Sequence, residues 1–262
     1  MVVEVINGSF RYEKNTPLLE NISFKVEQGK VLAVVGPNGS GKTTLLKCLL
    51  GILEWNRGAT HIDGKKAYKT EHYMEIGYVP QAYNMSFPYR VGEMVLMGCN
   101  KQLSGLSVPS KADIKRADDA MKMVGIFDLD LKDRLCTKIS GGQLQMVFIA
   151  RALAGSPKML VMDEPESHLD LKNQYSILRM IKRLVRENNM SFIINTHYPD
   201  HALRLADDCL IIYSGKWIHG PVRDILTAET LKTCFGVNAK PIKIKSNRGV
   251  DFDSIVVIED LE

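Results

Sequence analysis

The chain has 262 residues, 45% of them apolar and 24% charged, and its 34 basic against 30 acidic residues leave a formal charge of +4. A chain of this size buries about three quarters of its unfolded surface in one large domain or two joined lobes, with no need of disulfide or metal staples. No apolar run approaches the roughly 18 residues of a membrane helix, and the weak positive charge without a long basic run speaks against nucleic acid as a partner. The five cysteines, at 48, 99, 136, 209 and 234, are odd in number and hold no CxxC pair, which fits reduced thiols rather than a disulfide framework or a zinc site. MVVEVINGSF at the start lacks a basic segment followed by an apolar one, so the protein is expected to stay inside the cell.

In chain order, Tyr12 in FRYEKNTPLL is the first polar aromatic, and by itself it needs no function. Residues 31–36, VLAVVG, form a continuous apolar run, the mark of a parallel strand covered on both faces. GPNGSGKT follows, from Gly36 through Pro37, Asn38, Gly39, Ser40, Gly41 and Lys42 to Thr43, and matches GxxxxGK[ST] in full. Its glycines let backbone N–H groups turn in around phosphate oxygens. Lys42 reaches the β- and γ-phosphates, and the Thr43 hydroxyl ligates Mg²⁺. Leu45, Cys48, Leu49 and Ile52, at i, i+3, i+4 and i+7, predict one apolar stripe on a following helix. The phosphate loop thus lies between a strand and a helix, as such a motif requires, and a purine triphosphate is the expected ligand.

Gln81 ends the segment IGYVPQ. Between 92 and 135 the pattern turns helical, with breaks at residues 98, 105 and 109, and reads as a helical insertion. KISGGQLQ, 138–145, predicts a helix capped by Ser140, with Gly141 and Gly142 baring the N–H groups of an anion-attracting N-terminus. Met146, Ile149, Ala150 and Leu153 would anchor that helix. MLVMDE, 159–164, is a second buried strand. It brings Asp163 to a metal and Glu164 to an attacking water, although Asp-Glu-Pro could equally open a helix. SFIINTH, 191–197, is a third such strand, ending in His197, whose imidazole could donate to a phosphate oxygen or be structural. After residue 221, PIKIKS and SIVVIED around SNRGVDFD predict a late hairpin.

Taken in order, Tyr12, GPNGSGKT, Gln81, ISGGQ at 139–143, MDE with SHLD at 167–170, and His197 resemble the ATP-binding subunit of ABC transporters over nearly the whole chain to about residue 236. The resemblance implies an α/β P-loop NTPase fold. Its RecA-like mixed sheet core would span about 1–81 and 159–224, with an N-terminal antiparallel β-subdomain. A helical signature subdomain would span about 82–158, and a C-terminal β appendage 237–262, outside the ATPase domain of 1–236. It further implies an adenine-stacking Tyr12, ATP contacts along 36–43 and at Thr44, and Mg²⁺ held through Thr43, Gln81 and Asp163. Glu164, His197 and Gln81 are the implied catalytic residues, with Asp170 in the D-loop. In this family two copies pack head to tail, so that Ser140, Gly141, Gly142 and Gln143 of one close over the γ-phosphate held by the other. Integral membrane permease subunits and an extracytoplasmic substrate-binding protein are the further implied partners, which places the chain on the cytoplasmic face of the membrane. Ile139, where leucine is usual, and Glu166, where threonine or serine is, depart from the pattern.

The insertion is too short for the coiled coils of DNA-repair relatives, and translation-factor relatives carry a second Walker A loop. YNMSFPYRVGEMVLMG and the tail LTAETLKTCFGV resemble the importer group for metal chelates such as siderophore iron, haem or cobalamin and for oxyanions, and the first piece also zinc and manganese importers. Tyr83, Met85 and Phe87 then either line the groove that receives a coupling helix or belong to the core. The alternatives are a soluble ATPase such as one in iron-sulfur cluster assembly, and a nucleotide-gated dimerisation switch, against which Glu164 and His197 argue.

Overall fold

The structure is a computed structural model and describes residues 1–12, 17–67, 75–81, 87–102, 108–127, 130–245 and 251–260. In chain order its strands are β1 (Val3–Phe10), β2 (Leu19–Val26), β3 (Val31–Val35), β4 (Arg57–Ile62), β5 (Lys65–Lys66), β6 (Ile76–Val79), β7 (Met159–Asp163), β8 (Ser191–Asn195), β9 (Asp208–Tyr213), β10 (Lys216–Pro221), β11 (Val237–Lys245) and β12 (Asp251–Asp260). The helices are α1 (Lys42–Leu49), α2 (Val91–Leu96), α3 (Lys111–Met123), α4 (Gly141–Ala154), α5 (Leu171–Asn188), α6 (Pro199–Leu205), α7 (Val222–Ile225) and α8 (Ala228–Phe235). They group into two compact units, Met1–Lys69 with Ser191–Glu262, and Thr70–Met190.

The first unit holds an antiparallel sheet in the order β2-β1-β4-β5. Beside it β3 pairs in parallel with both β8 and β9, and β9 carries β10 as an antiparallel edge. Every residue of β3 and β8 is buried, which explains their unbroken apolar runs. The predicted helix after β3 is α1, but it stops at Leu49, and Ile52 is exposed beyond its end. The turn through Gly51, in left-handed conformation, ends the apolar stripe one turn early. In the same unit, β11 and β12 form the expected hairpin. Ala239 joins a core with Ala202, Leu203 and Leu231, so the hairpin is seated rather than loosely appended. Asp200 Oδ1 accepts from Ser254 Oγ at 2.7 Å and Ile255 N at 2.9 Å, and Arg223 pairs with Asp253.

The second unit pairs β6 with β7 in parallel, Val79 opposite Met162, which brings the ends of the two strands side by side. Helices α2 and α3 lie within the predicted helical stretch; Ser110 and Asp113 form a reciprocal capping box at the start of α3. In α4 the predicted Met146, Ile149, Ala150 and Leu153 are all buried, and so are Val147 and Phe148, which widens the expected stripe. α5 starts on the cap Asp170, ends on left-handed Asn189, and buries Gln174, Ile177, Leu178, Ile181 and Leu184 at helical spacing. The five cysteines are reduced and buried, and burial pushes the Cys48 thiol up to about 12.

Candidate functional site

In the first unit the loop between β3 and α1 is shaped by backbone that side chains could not follow. Gly36 has φ 149°, and a Cβ there would lie 2.1 Å from the Ile212 carbonyl oxygen of β9; Gly41, at φ 104°, is the N-cap of α1 and makes no side-chain capping bond. Lys42 is 5% exposed, and its Nζ donates to Gly36 O at 2.8 Å and Pro37 O at 2.9 Å. A buried ammonium beside a helix N-terminus creates a positive concavity for an anion. The Ser40 hydroxyl is buried in the same loop without a hydrogen-bond partner, an unmet polar group that a phosphate oxygen would satisfy. These features fit a nucleotide's phosphate chain.

Tyr12 lies edge-on against Phe10, ring centroids 4.9 Å apart, and its hydroxyl bonds Thr44 Oγ1 at 3.1 Å. The ring is 65% exposed, so it presents a fixed face rather than a packed one. Thr44 is buried in α1, directly after the half-buried Thr43. His197 is half-buried just past β8, where the Thr196 N–H bonds Val34 O and thereby fixes the exit of the strand.

In the second unit, Asp163 is buried at the end of β7. Glu164 follows with φ 50°, a left-handed turn that few non-glycine residues adopt. Its Oε2 accepts from Gln81 Nε2 at 2.9 Å and from Ser167 Oγ at 3.0 Å. The structure therefore brings two of the predicted catalytic residues, Gln81 and Glu164, into direct contact. Ser167 opens the SHLD motif, but its bond to Glu164 has no signal in the sequence: it comes from the turn Ser167 N to Glu164 O, which folds the serine back on the carboxylate.

At the start of α4, Ser140 Oγ accepts from Gln143 N at 3.3 Å, and Gln143 Oε1 accepts from Ser140 N at 3.0 Å. The predicted cap is thus present as a reciprocal pair. Since the serine oxygen accepts in that bond, its proton remains available for an oxygen ligand. Ser140 and Gly141 are exposed, and Gly142 is buried. Asp170 caps α5. Glu166, one of the two departures, is buried, and its main-chain oxygen accepts from Gln174 Nε2. Tyr83 and Met85 lie outside the described residues, whereas Phe87 is 66% exposed.

A glycine-rich phosphate loop on a parallel sheet, together with a strand ending in Asp-Glu, defines a P-loop nucleotide-binding protein. The chain belongs to the ABC transporter family, whose model matches residues 19–167. It is 35% identical to the molybdate import ATP-binding protein MolC of Haemophilus influenzae, over 89% of this chain and 87% of that one. It is 37% identical to the zinc uptake system ATP-binding protein ZurA of Listeria innocua, over 82% and 85%. Among solved structures, a chain of one described as an inward-facing metal-chelate type ABC transporter superposes with a TM-score of 0.88 at 32% identity, covering 98% of this chain and 97% of that one. The dimeric post-hydrolysis state of the cassette MJ0796 bound to ADP and Pi gives 0.73 at 25% identity, covering 84% and 99%. The fold is that of an ABC cassette, and the chain is an ATP-binding, ATP-hydrolysing component of that family.

Proposed function

We propose that the chain is the ATPase of an importer whose cargo is a metal ion, a metal chelate or an oxyanion. The observation that carries this reading is the likeness to the metal-chelate type transporter, which extends over 98% of the chain and so takes in the seated C-terminal hairpin as well as the cassette. The relatives named for molybdate and zinc fit the same cargo class. The soluble, non-transport reading has no comparable support.

In this reading two copies face each other head to tail. The loop at 36–43 and Thr44 hold the phosphates of one ATP, and Tyr12 stacks on its base. Ser140, Gly141, Gly142 and Gln143 of the other copy close over the γ-phosphate. Glu164 orients and deprotonates the attacking water, and Gln81, bonded to the same carboxylate, aligns it. Lys42, His197 and the partner's Ser140 bind the charge that develops on the γ-phosphate. Mg²⁺, held through Thr43, Asp163 and Gln81, would neutralise phosphate charge. Asp170 lies at the facing surface. The cassette spans 1–236, its core 1–81 and 159–224 and its helical part 82–158, with 237–262 beyond. The chain sits on the cytoplasmic face of a membrane against permease subunits, and a capture protein delivers cargo from the other side.

Phe87 is the exposed apolar residue that would meet the permease. Burying an exposed phenylalanine contributes about 2 kcal/mol to such a contact. Phe87→Asp should therefore reduce recovery of a membrane permease subunit in pull-downs from detergent-solubilised membranes at least several-fold, with ATP binding intact. Equal recovery with the parent chain and the variant would remove Phe87 from the docking surface, and no permease with either would remove the transport reading.

A further inference from the structure

The first turn of α5 does more than start a helix. Asp170 accepts from both the main chain and the side chain of Asn173: Oδ1 from Asn173 N at 2.8 Å and Oδ2 from Asn173 Nδ2 at 2.9 Å. The main-chain bond holds the carboxylate at the start of the helix, and the side-chain bond orients the carboxamide on it. In that orientation it lies against Gly142 of α4. A Cβ on Gly142 would stand 2.6 Å from Asn173 Cγ and Nδ2, so the glycine's missing side chain is the room that the carboxamide fills. The next residue, Gln174, is buried and donates its Nε2 to the carbonyl oxygens of Leu169 at 3.1 Å and Glu166 at 3.4 Å. The segment 166–170 is thereby stapled to α5, and α5 to the N-terminus of α4, through one side chain.

We infer that Asn173 is a positioning residue that locks the D-loop to the signature glycines within each copy, so that both present themselves to the opposing nucleotide as one rigid surface. The inference rests on the proposed head-to-tail dimer and adds a residue to which no contact with nucleotide is assigned. Its chemistry is steric and polar: the carboxamide separates Asp170 from Gly142 by a fixed amount, and a shorter side chain lets the two drift independently. Because interfaces that close on a γ-phosphate tolerate little misplacement, a shift of about 1 Å is enough to cost on the order of 10²-fold in rate.

The test combines Asn173→Ala, Gly142→Ala and the pair of both, each in the Glu164→Gln background for dimerisation and in the parent chain for hydrolysis. Light scattering reads the protein concentration at which ATP drives dimer formation, and filter binding reads ATP affinity of the separated chains. Asn173→Ala should raise the concentration needed for dimerisation about 10-fold and lower kcat at least as much, with ATP affinity unchanged. Gly142→Ala alone should be worse, since its methyl meets the carboxamide. In the pair the methyl enters the vacated space, so dimerisation should recover beyond Gly142→Ala alone, a sign of coupling that general loss of stability would not produce. The inference is overturned if Asn173→Ala dimerises and hydrolyses like the parent, or if the pair is no better than Gly142→Ala. Should Glu164→Gln itself fail to dimerise with ATP, the head-to-tail reading fails first, and the melting temperature of each variant shows that the chains compared are folded.

Discussion

Glu164→Gln should bind ATP as the parent does, hydrolyse it about 10² to 10³ times more slowly, and accumulate as a dimer when ATP is present. The carboxylate sits at a left-handed residue just past β7, and its Oε2 is held by Gln81 Nε2 and Ser167 Oγ. Glutamine is nearly isosteric and keeps one carbonyl oxygen for those two donors, so the local turn has no reason to collapse. What it loses is the ability to accept a proton from water. Removing one contact of this weight in a transition state costs roughly 3 to 4 kcal/mol. If closure depends on ATP and opening on its hydrolysis, the closed pair is trapped. Steady-state phosphate release and light scattering with ATP give the two readouts. Hydrolysis near the parent rate would mean that another group activates the water.

Ser140→Arg tests the other half of the proposed shared pocket. The serine caps α4 through a reciprocal bond with Gln143, and its loss removes about 1 kcal/mol of helix stabilisation. The larger effect is that a guanidinium then occupies the exposed mouth where the opposing γ-phosphate is proposed to enter. The cation also adds to the positive end of the helix dipole, which disfavours it further. ATP affinity of the separate chain should stay within a few-fold of the parent, because the phosphate loop belongs to another stretch of sequence. Hydrolysis should fall by about 10² or more. A dimer that still forms with ATP when Ser140→Arg is combined with Glu164→Gln would show that these residues do not close over nucleotide.

Much of this architecture could be read from residue order because buried parallel strands leave unbroken apolar runs and a phosphate loop has a fixed spelling. β3, β7 and β8 were legible for the first reason and residues 36–43 for the second. The N-terminal sheet was less so: β1 is interrupted by irregularities on both sides of Gly8, which blur its alternation. α1 was read one turn too long because Ile52 continues the helical spacing after the chain has already turned. The cap at Ser140 is a local bond three residues long and so is visible in sequence. The carboxamide of Asn173 against Gly142 joins positions on different helices, and the bond from Gln81 to Glu164 spans 83 residues. Contacts of that kind carry no short-range signature, and they determine how the separate motifs are held.

The interior placement of all five cysteines makes the native chain its own label-free reporter of opening. Cys48 is 1% exposed in the helix that leaves the phosphate loop, and its thiol is held in the unreactive protonated form. Alkylation at that sulfur therefore proceeds only through molecules that have transiently loosened, and the trapping rate measures how often they do so. A ligand that binds only the closed form slows the trapping in proportion to its occupancy. Mass spectrometry of the unmodified polypeptide can thus rank candidate nucleotides without any engineered probe.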